Sequence, residues 1–216
     1  MSRTYDTFLF DLDGTITDSA LGITNSVMYA LKKFGIEETD RTKLYKFIGP
    51  PLTESFEKFY GFTKEQSLDG VKYYREYYHD KGIYENRVYD GLEEVLKKIN
   101  EAGKQAIVAT SKPEEYAKII IDHFHLTKYF ACVAGMEMDG GRGTKAQVIT
   151  YALEKNDITD KSKVLMIGDR EHDVIGAHLN GLDCLGILYG FGSREEFEET
   201  GADYIRENVE DILQFV

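Results

Sequence analysis

Apolar positions along this chain follow two regimes that change near residue 87. An opening run, Thr7-Phe8-Leu9-Phe10, is too short for a helix and continuous enough for a strand buried on both faces. From Ser19 to Phe34 apolar residues recur at helical spacing. Leu21, Val27, Ala30, Leu31 and Phe34 fall on roughly one face, and Gly35 is placed to end the helix. Shorter helical patterns at Arg41–Phe47 and Thr53–Phe59 are divided by Gly49-Pro50-Pro51, and a longer one runs from about Thr63 to His79. Nothing between residues 19 and 85 reads as a buried strand.

From Gly91 helices and apolar strands alternate. Helices are expected at about 91–102, 114–124, 144–155 and 171–180, with strands at Gln105–Ala109, Tyr129–Ala134, Val164–Ile167 and Cys184–Leu188. A short strand and a helix follow within Asp203–Val216. This alternation predicts an α/β fold, a three-layer parallel sheet covered on both faces. Its core takes residues 1–16 and 87–216, with an all-helical insert at 17–86 after the first strand.

Ligands of open parallel sheets sit beyond the carboxyl ends of the strands, and polar residues recur at those positions here. Strand one runs into Asp11-Leu12-Asp13-Gly14-Thr15, which aims two carboxylates at one face. Two like charges so close call for a cation or a shared proton, although Asp-Gly is also a common turn. A second strand ends at Thr110-Ser111-Lys112, where Thr110 or Ser111, taken alone, reads first as a cap of the helix that begins near Pro113. Lys145 follows the loop Gly140-Gly141-Arg142-Gly143 and opens a helix; alone it reads as a solvated helix-start lysine, although a helix N-terminus is unfavourable for a cation. Gly168-Asp169 ends a further strand, with Asp173 four residues on.

These residues, in this order, resemble the haloacid dehalogenase superfamily over essentially the whole chain. Asp11-Leu12-Asp13-Gly14-Thr15 looks like its first motif, Ala109-Thr110-Ser111-Lys112-Pro113 its second, Lys145 its third and Gly168-Asp169-Arg170-Glu171-His172-Asp173 its fourth. Ile48-Gly49-Pro50-Pro51-Leu52 and Tyr189-Gly190-Phe191-Gly192-Ser193 look like segments of the phosphoglycolate-phosphatase-like subgroup. The resemblance implies a Rossmann-like core with a small helical cap domain, and a Mg²⁺-dependent phosphatase acting through an aspartyl-phosphate. Asp11 would be the nucleophile and Asp13 the acid/base. Thr110, Ser111 and Lys145 would bind the phosphoryl group. Mg²⁺ would be held by Asp11, the backbone carbonyl of Asp13 and Asp169, with Asp173 behind them, steering Lys145 or a metal-bound water. Asp13 argues against dehalogenation, because a halide leaving group needs no proton.

Composition narrows the substrate and partner classes. With 26 basic and 38 acidic residues, the net charge of −12 disfavours nucleic acid as a partner. A phosphorylated metabolite must therefore be drawn in by local positive groups. Cys132 and Cys184, each in an apolar run, read as buried free thiols of a reducing compartment. The start of the chain lacks the charged-then-apolar pattern of a secretion signal, and no apolar run is long enough to span a membrane, so a soluble cytoplasmic monomer is expected. His123 and His125 are expected to end a helix, and no histidine is needed as a metal ligand. In the insert, Lys46 stands beside a rigid Gly-Pro-Pro loop. Tyr73-Tyr74-Arg75-Glu76-Tyr77-Tyr78 reads as a packing stripe before it reads as a base- or sugar-stacking surface. A phosphohexomutase of the same fold and a non-catalytic phospho-ligand binding module remain the alternatives. A receiver domain does not fit, since it is about half this length and lacks the helical insert.

Overall fold

The structure, a computed structural model, describes residues 4–138 and 141–216; Gly140 of the glycine loop lies outside them. In chain order the elements are β1 (Thr7–Phe10), β2 (Thr17–Asp18), α1 (Ala20–Lys33), α2 (Leu52–Tyr60), α3 (Lys64–Tyr77), β3 (Arg87–Val88) and α4 (Leu92–Glu101). There follow β4 (Gln105–Pro113), α5 (Glu114–His123), β5 (Phe130–Met136), α6 (Lys145–Lys155), β6 (Val164–Gly168), α7 (Glu171–Leu179), β7 (Asp183–Ile187), α8 (Arg194–Thr200) and β8 (Tyr204–Arg206). The chain forms two compact units. One holds the described residues up to Thr17 together with Val88–Val216, and the other holds Asp18–Arg87.

In the larger unit six strands form one sheet in the order β5-β4-β1-β6-β7-β8. β1 pairs with β4 and with β6, β4 with β5, β6 with β7 and β7 with β8, each in parallel. β1 is central, flanked by β4 (Phe10 opposite Val108) and β6 (Phe10 opposite Ile167), so the ends of these three strands lie side by side. β1 and β6 are buried along their length, as sheet strands covered on both faces should be. Leu9, Ile107, Ala134, Val148, Met166, Val174, Cys184 and Phe197 share one apolar cluster. Each large member contributes about 1.5–3 kcal/mol by burial.

Several expectations change in detail. β4 runs on to Pro113, because Thr110 and Pro113 still pair with Gly135 and Met136 across a register shift. α8 was not expected. Its single buried apolar residue, Phe197, leaves no helical stripe to read, and Ser193 and the first-turn acids Glu195 and Glu196 favour the helix instead. The tail after β8 is 3₁₀ rather than α-helical. Cys132 is only partly buried, since β5 is the outer strand of the sheet, whereas Cys184 is buried. His123 is the last residue of α5, but His125 lies beyond it with φ 56°.

The smaller unit is helical apart from the strand residues at its two ends. Arg41–Phe47 is 3₁₀, and α3 continues into a π-helical turn at Tyr78–Gly82. In α1, Val27, Ala30 and Leu31 are buried, but Leu21 is 51% exposed, and the buried face instead includes Ile23, Thr24 and Ser26. The tyrosine run packs within this unit: Tyr74 stacks on Tyr78 at 5.3 Å, and Tyr73 meets Phe34 at 5.7 Å. Lys46 places its ammonium over the Phe59 ring at 4.2 Å.

Candidate active site at the end of the central strands

Every buried charged side chain among the described residues belongs to the larger unit and sits at or just beyond a strand end or on the helix that follows. The six are Asp11, Asp13, Lys112, Lys145, Asp169 and Asp173. Four carboxylates against two ammonium groups leave a formal charge of −2. Burying uncompensated charge is among the costliest things a fold can do.

Lys145 is the first organising group. The Thr144 hydroxyl accepts from the Gln147 amide and starts α6, which fixes the lysine at the first helical position. Its ammonium lies 2.8 Å from Asp11 Oδ1 and 2.7 Å from Asp173 Oδ1, and donates to the Ala109 carbonyl at 3.1 Å. Burial alone would pull its pKa down, but the two facing carboxylates outweigh this and hold it above the ordinary lysine value. The lysine is thus buried and paired rather than solvated. Arg142 helps set the loop before it, donating to the Gly135 carbonyl and pairing with Glu114 and Glu137.

Asp169 is the second. Its Oδ2 accepts from the Phe191 amide at 2.8 Å, and its Oδ1 lies 3.4 Å from the Thr15 hydroxyl. Burial, together with the charges of Asp11 and Asp173, holds its pKa well above the carboxylate range. Burial likewise pushes Asp11 up, against the pull of Lys145. Two glycines allow the close approach. Gly14 has φ +85°, and a Cβ there would stand 2.1 Å from Asp169 Oδ2. A Cβ on Gly190 would stand 2.4 Å from both the Asp169 Cβ and the Gly14 carbonyl.

Carboxylate oxygens of Asp11, Asp169 and Asp173 lie within 4.8 Å of one another. An all-oxygen, acid-rich donor set suits a hard divalent cation, and two positive charges would cancel the excess of −2. Asp173 is less available than the other two: Oδ1 faces Lys145, and Oδ2 accepts from the Arg170 amide at 3.1 Å. Asp13 is tied to Lys112, whose ammonium donates to Oδ2 at 2.6 Å, while its buried Oδ1 has no hydrogen-bond partner. Thr110 is buried, and its hydroxyl accepts from the Lys112 amide at 3.1 Å. Ser111 is half-buried beside it and takes part in none of these ion pairs.

The profile of the family described as haloacid dehalogenase-like hydrolase matches residues 8–187. The chain belongs to that family. Among its relatives is a 5′-nucleotidase of Pseudomonas aeruginosa, 45% identical over 192 residues, covering 89% of this chain and 86% of the relative. Another is the tyrosine-protein kinase PtkA of Mycobacterium tuberculosis, 34% identical over 91% of this chain and 67% of the relative. A predicted phosphatase from Clostridium acetobutylicum has the same fold, with a TM-score of 0.94 at 47% identity over 98% of this chain and 97% of that one.

Within this haloacid dehalogenase-like frame, the residues that the motifs had left without a role are Lys112, Thr15 and the Phe191 amide. Lys112 carried a signal, standing two residues from Thr110 on the same strand and so on the same side. Phe191 carried none, because its contribution is a backbone N–H placed by the turn after β7.

Proposed function

We propose that this haloacid dehalogenase-like hydrolase is a Mg²⁺-dependent phosphatase that hydrolyses a small phosphate monoester through an aspartyl-phosphate on Asp11. The observation that carries the reading is the buried cluster of four carboxylates and two lysines, with its excess of two negative charges, at the ends of β1, β4 and β6. No ordinary core needs such a cluster, and a divalent cation together with a phosphoryl group accounts for it.

In this reading an oxygen of Asp11 attacks phosphorus in line, and the bond from phosphorus to the ester oxygen breaks. Asp13 gives its proton to the departing oxygen, which leaves as the alcohol. Water then attacks the phosphorus of the acyl phosphate, and Asp13, now a carboxylate, takes a proton from that water. Inorganic phosphate leaves and the Asp11 carboxylate is regenerated. Lys145 neutralises phosphoryl oxygens as they approach Asp11, and Thr110 and Ser111 orient them from the end of β4. Asp173 keeps Lys145 in place. Asp11, Asp169 and the backbone carbonyl of Asp13 would hold Mg²⁺, which when bound supplies the positive charge that lets two anions meet.

For the substrate, the 45% identity to a protein named 5′-nucleotidase supports a nucleoside monophosphate before other small esters. The test is phosphate release from nucleoside monophosphates, phosphoglycolate, sugar phosphates and pyrophosphate, with Mg²⁺ or with EDTA. Metal-dependent release, lost in Asp11→Asn and greatest for a nucleotide, is the expected result. Turnover that survives in Asp11→Asn would remove the nucleophile. Interconversion of sugar phosphates without phosphate release would turn the reading to a mutase, and binding without turnover would turn it to a binding module.

A further inference from the structure

We propose that Lys112 is the positioning residue of the acid/base. By holding Asp13 Oδ2, it leaves Oδ1 as the one oxygen of that carboxylate that exchanges protons with the leaving group and the water. The inference rests on the reading of Asp13 given above and adds to it a residue and an atom.

A carboxyl group turns about a broad, roughly two-fold torsion, so its two oxygens exchange places unless something distinguishes them. Here something does. The Lys112 ammonium sits 2.6 Å from Oδ2, and the two side chains are only 6% and 11% exposed. Oδ1 is buried and has no hydrogen-bond partner. A charge-assisted bond between buried groups is strong and directional, roughly twice a neutral one. The lysine is itself held. Its backbone amide donates to the Thr110 hydroxyl at 3.1 Å, next to the register shift between β4 and β5 that spans Thr110 to Pro113. Such irregularities re-aim side chains at strand ends. The other buried lysine, Lys145, is engaged by Asp11 and Asp173, so the two ammonium groups serve different carboxylates.

A lysine that instead bound the phosphoryl group would matter equally for every ester. A lysine that positions the general acid matters most where the leaving oxygen is most basic, since proton donation is then most needed. The experiment compares kcat/KM for p-nitrophenyl phosphate, phenyl phosphate and an alkyl phosphate at saturating Mg²⁺. The proteins are wild type, Lys112→Met, Lys112→Arg, Asp13→Asn and the double variant Asp13→Asn/Lys112→Met, with thermal melts of each.

The expected result is a loss in Lys112→Met at least tenfold greater on the alkyl ester than on p-nitrophenyl phosphate, with partial recovery in Lys112→Arg. In the Asp13→Asn background the same substitution should leave the leaving-group dependence unchanged, the non-additivity of residues that act as one unit. If Lys112→Met does not melt cooperatively, Lys112→Arg, which keeps the charge, carries the leaving-group test. Equal losses across the esters, or a further steepening in the Asp13→Asn background, overturn the proposal and leave the phosphatase reading intact. A wild type that releases phosphate from no ester, or an Asp11→Asn variant that keeps turnover, overturns the phosphatase reading instead.

Discussion

Gly190→Ala probes how tightly the loop after β7 closes on Asp169. The added methyl would stand 2.4 Å from the Asp169 Cβ and the Gly14 carbonyl oxygen, and 2.7 Å from Asp169 Oδ2. Ordinary carbon contact distances require a retreat of roughly 1 Å. Neither neighbour is a free chain end: Gly14 is backbone in a turn, and Asp169 is fully buried and held by the Phe191 amide. Overpacking of this kind costs about 1–3 kcal/mol. At about 2–4 °C per kcal/mol for a chain of this size, the melting midpoint should fall by roughly 2–12 °C. Activity should fall further, because a displacement of about 1 Å at a reacting centre costs on the order of a hundredfold. Thermal melts with and without Mg²⁺, beside steady-state phosphate release, read both effects. A variant with wild-type turnover and a wild-type Mg²⁺ shift in melting would refute the close fit of Asp169 between Gly14 and Gly190.

Asp11 and Asp169 have raised pKa values when folded without metal, so the native state binds more protons than the unfolded state above the ordinary carboxylate value of about 3.9. Metal-free stability is therefore fully present below that value and declines as pH rises through the raised pKa values; melts across pH 4–8 should show the Mg²⁺-induced shift growing with pH, and a shift that shrinks would contradict the assignment of these carboxylates as ligands. Lys145→Met leaves Asp11 and Asp173 facing each other without a cation, which at neutral pH should cost about 3–5 kcal/mol in denaturant unfolding and less in acid, where the carboxylates protonate. Cys184 is buried and its pKa is pushed well up by burial, while Cys132 is partly exposed; a thiol reagent should modify Cys132 alone in the native protein, and peptide mapping that finds Cys184 equally labelled would contradict the packing of β7.

The parallel sheet was legible because its strands are continuous apolar runs, and Thr7–Phe10 and Val164–Ile167 need no partner to be read. So were the ends of those strands, since a carboxylate pair and a Gly-Asp step interrupt apolar runs abruptly. What stayed hidden depends on tertiary contact. α8 has one apolar side chain, so its place is set by Phe197 entering the core and not by a periodic stripe. Leu21 matches the α1 period yet faces solvent, because the buried face turns toward Ile23, Thr24 and Ser26. Lys145 at a helix start looks unfavourable until Asp11 and Asp173 are known to face it from two other elements. The position of Lys112 two residues after Thr110 was readable, but its partner was not, since the pairing with Asp13 spans 99 residues.

In the proposed reaction Asp11 carries the phosphoryl group between the two half-reactions. Its most direct test is to mix the protein with Mg²⁺ and a ³²P-labelled ester that it hydrolyses, quench in acid within one turnover, and locate the label. The expected result is a protein-bound phosphate that hydroxylamine releases, mapped to the peptide containing Asp11 and absent from Asp11→Asn. Turnover by the wild type with no such adduct in the pre-steady state, or an adduct that persists in Asp11→Asn, would contradict it.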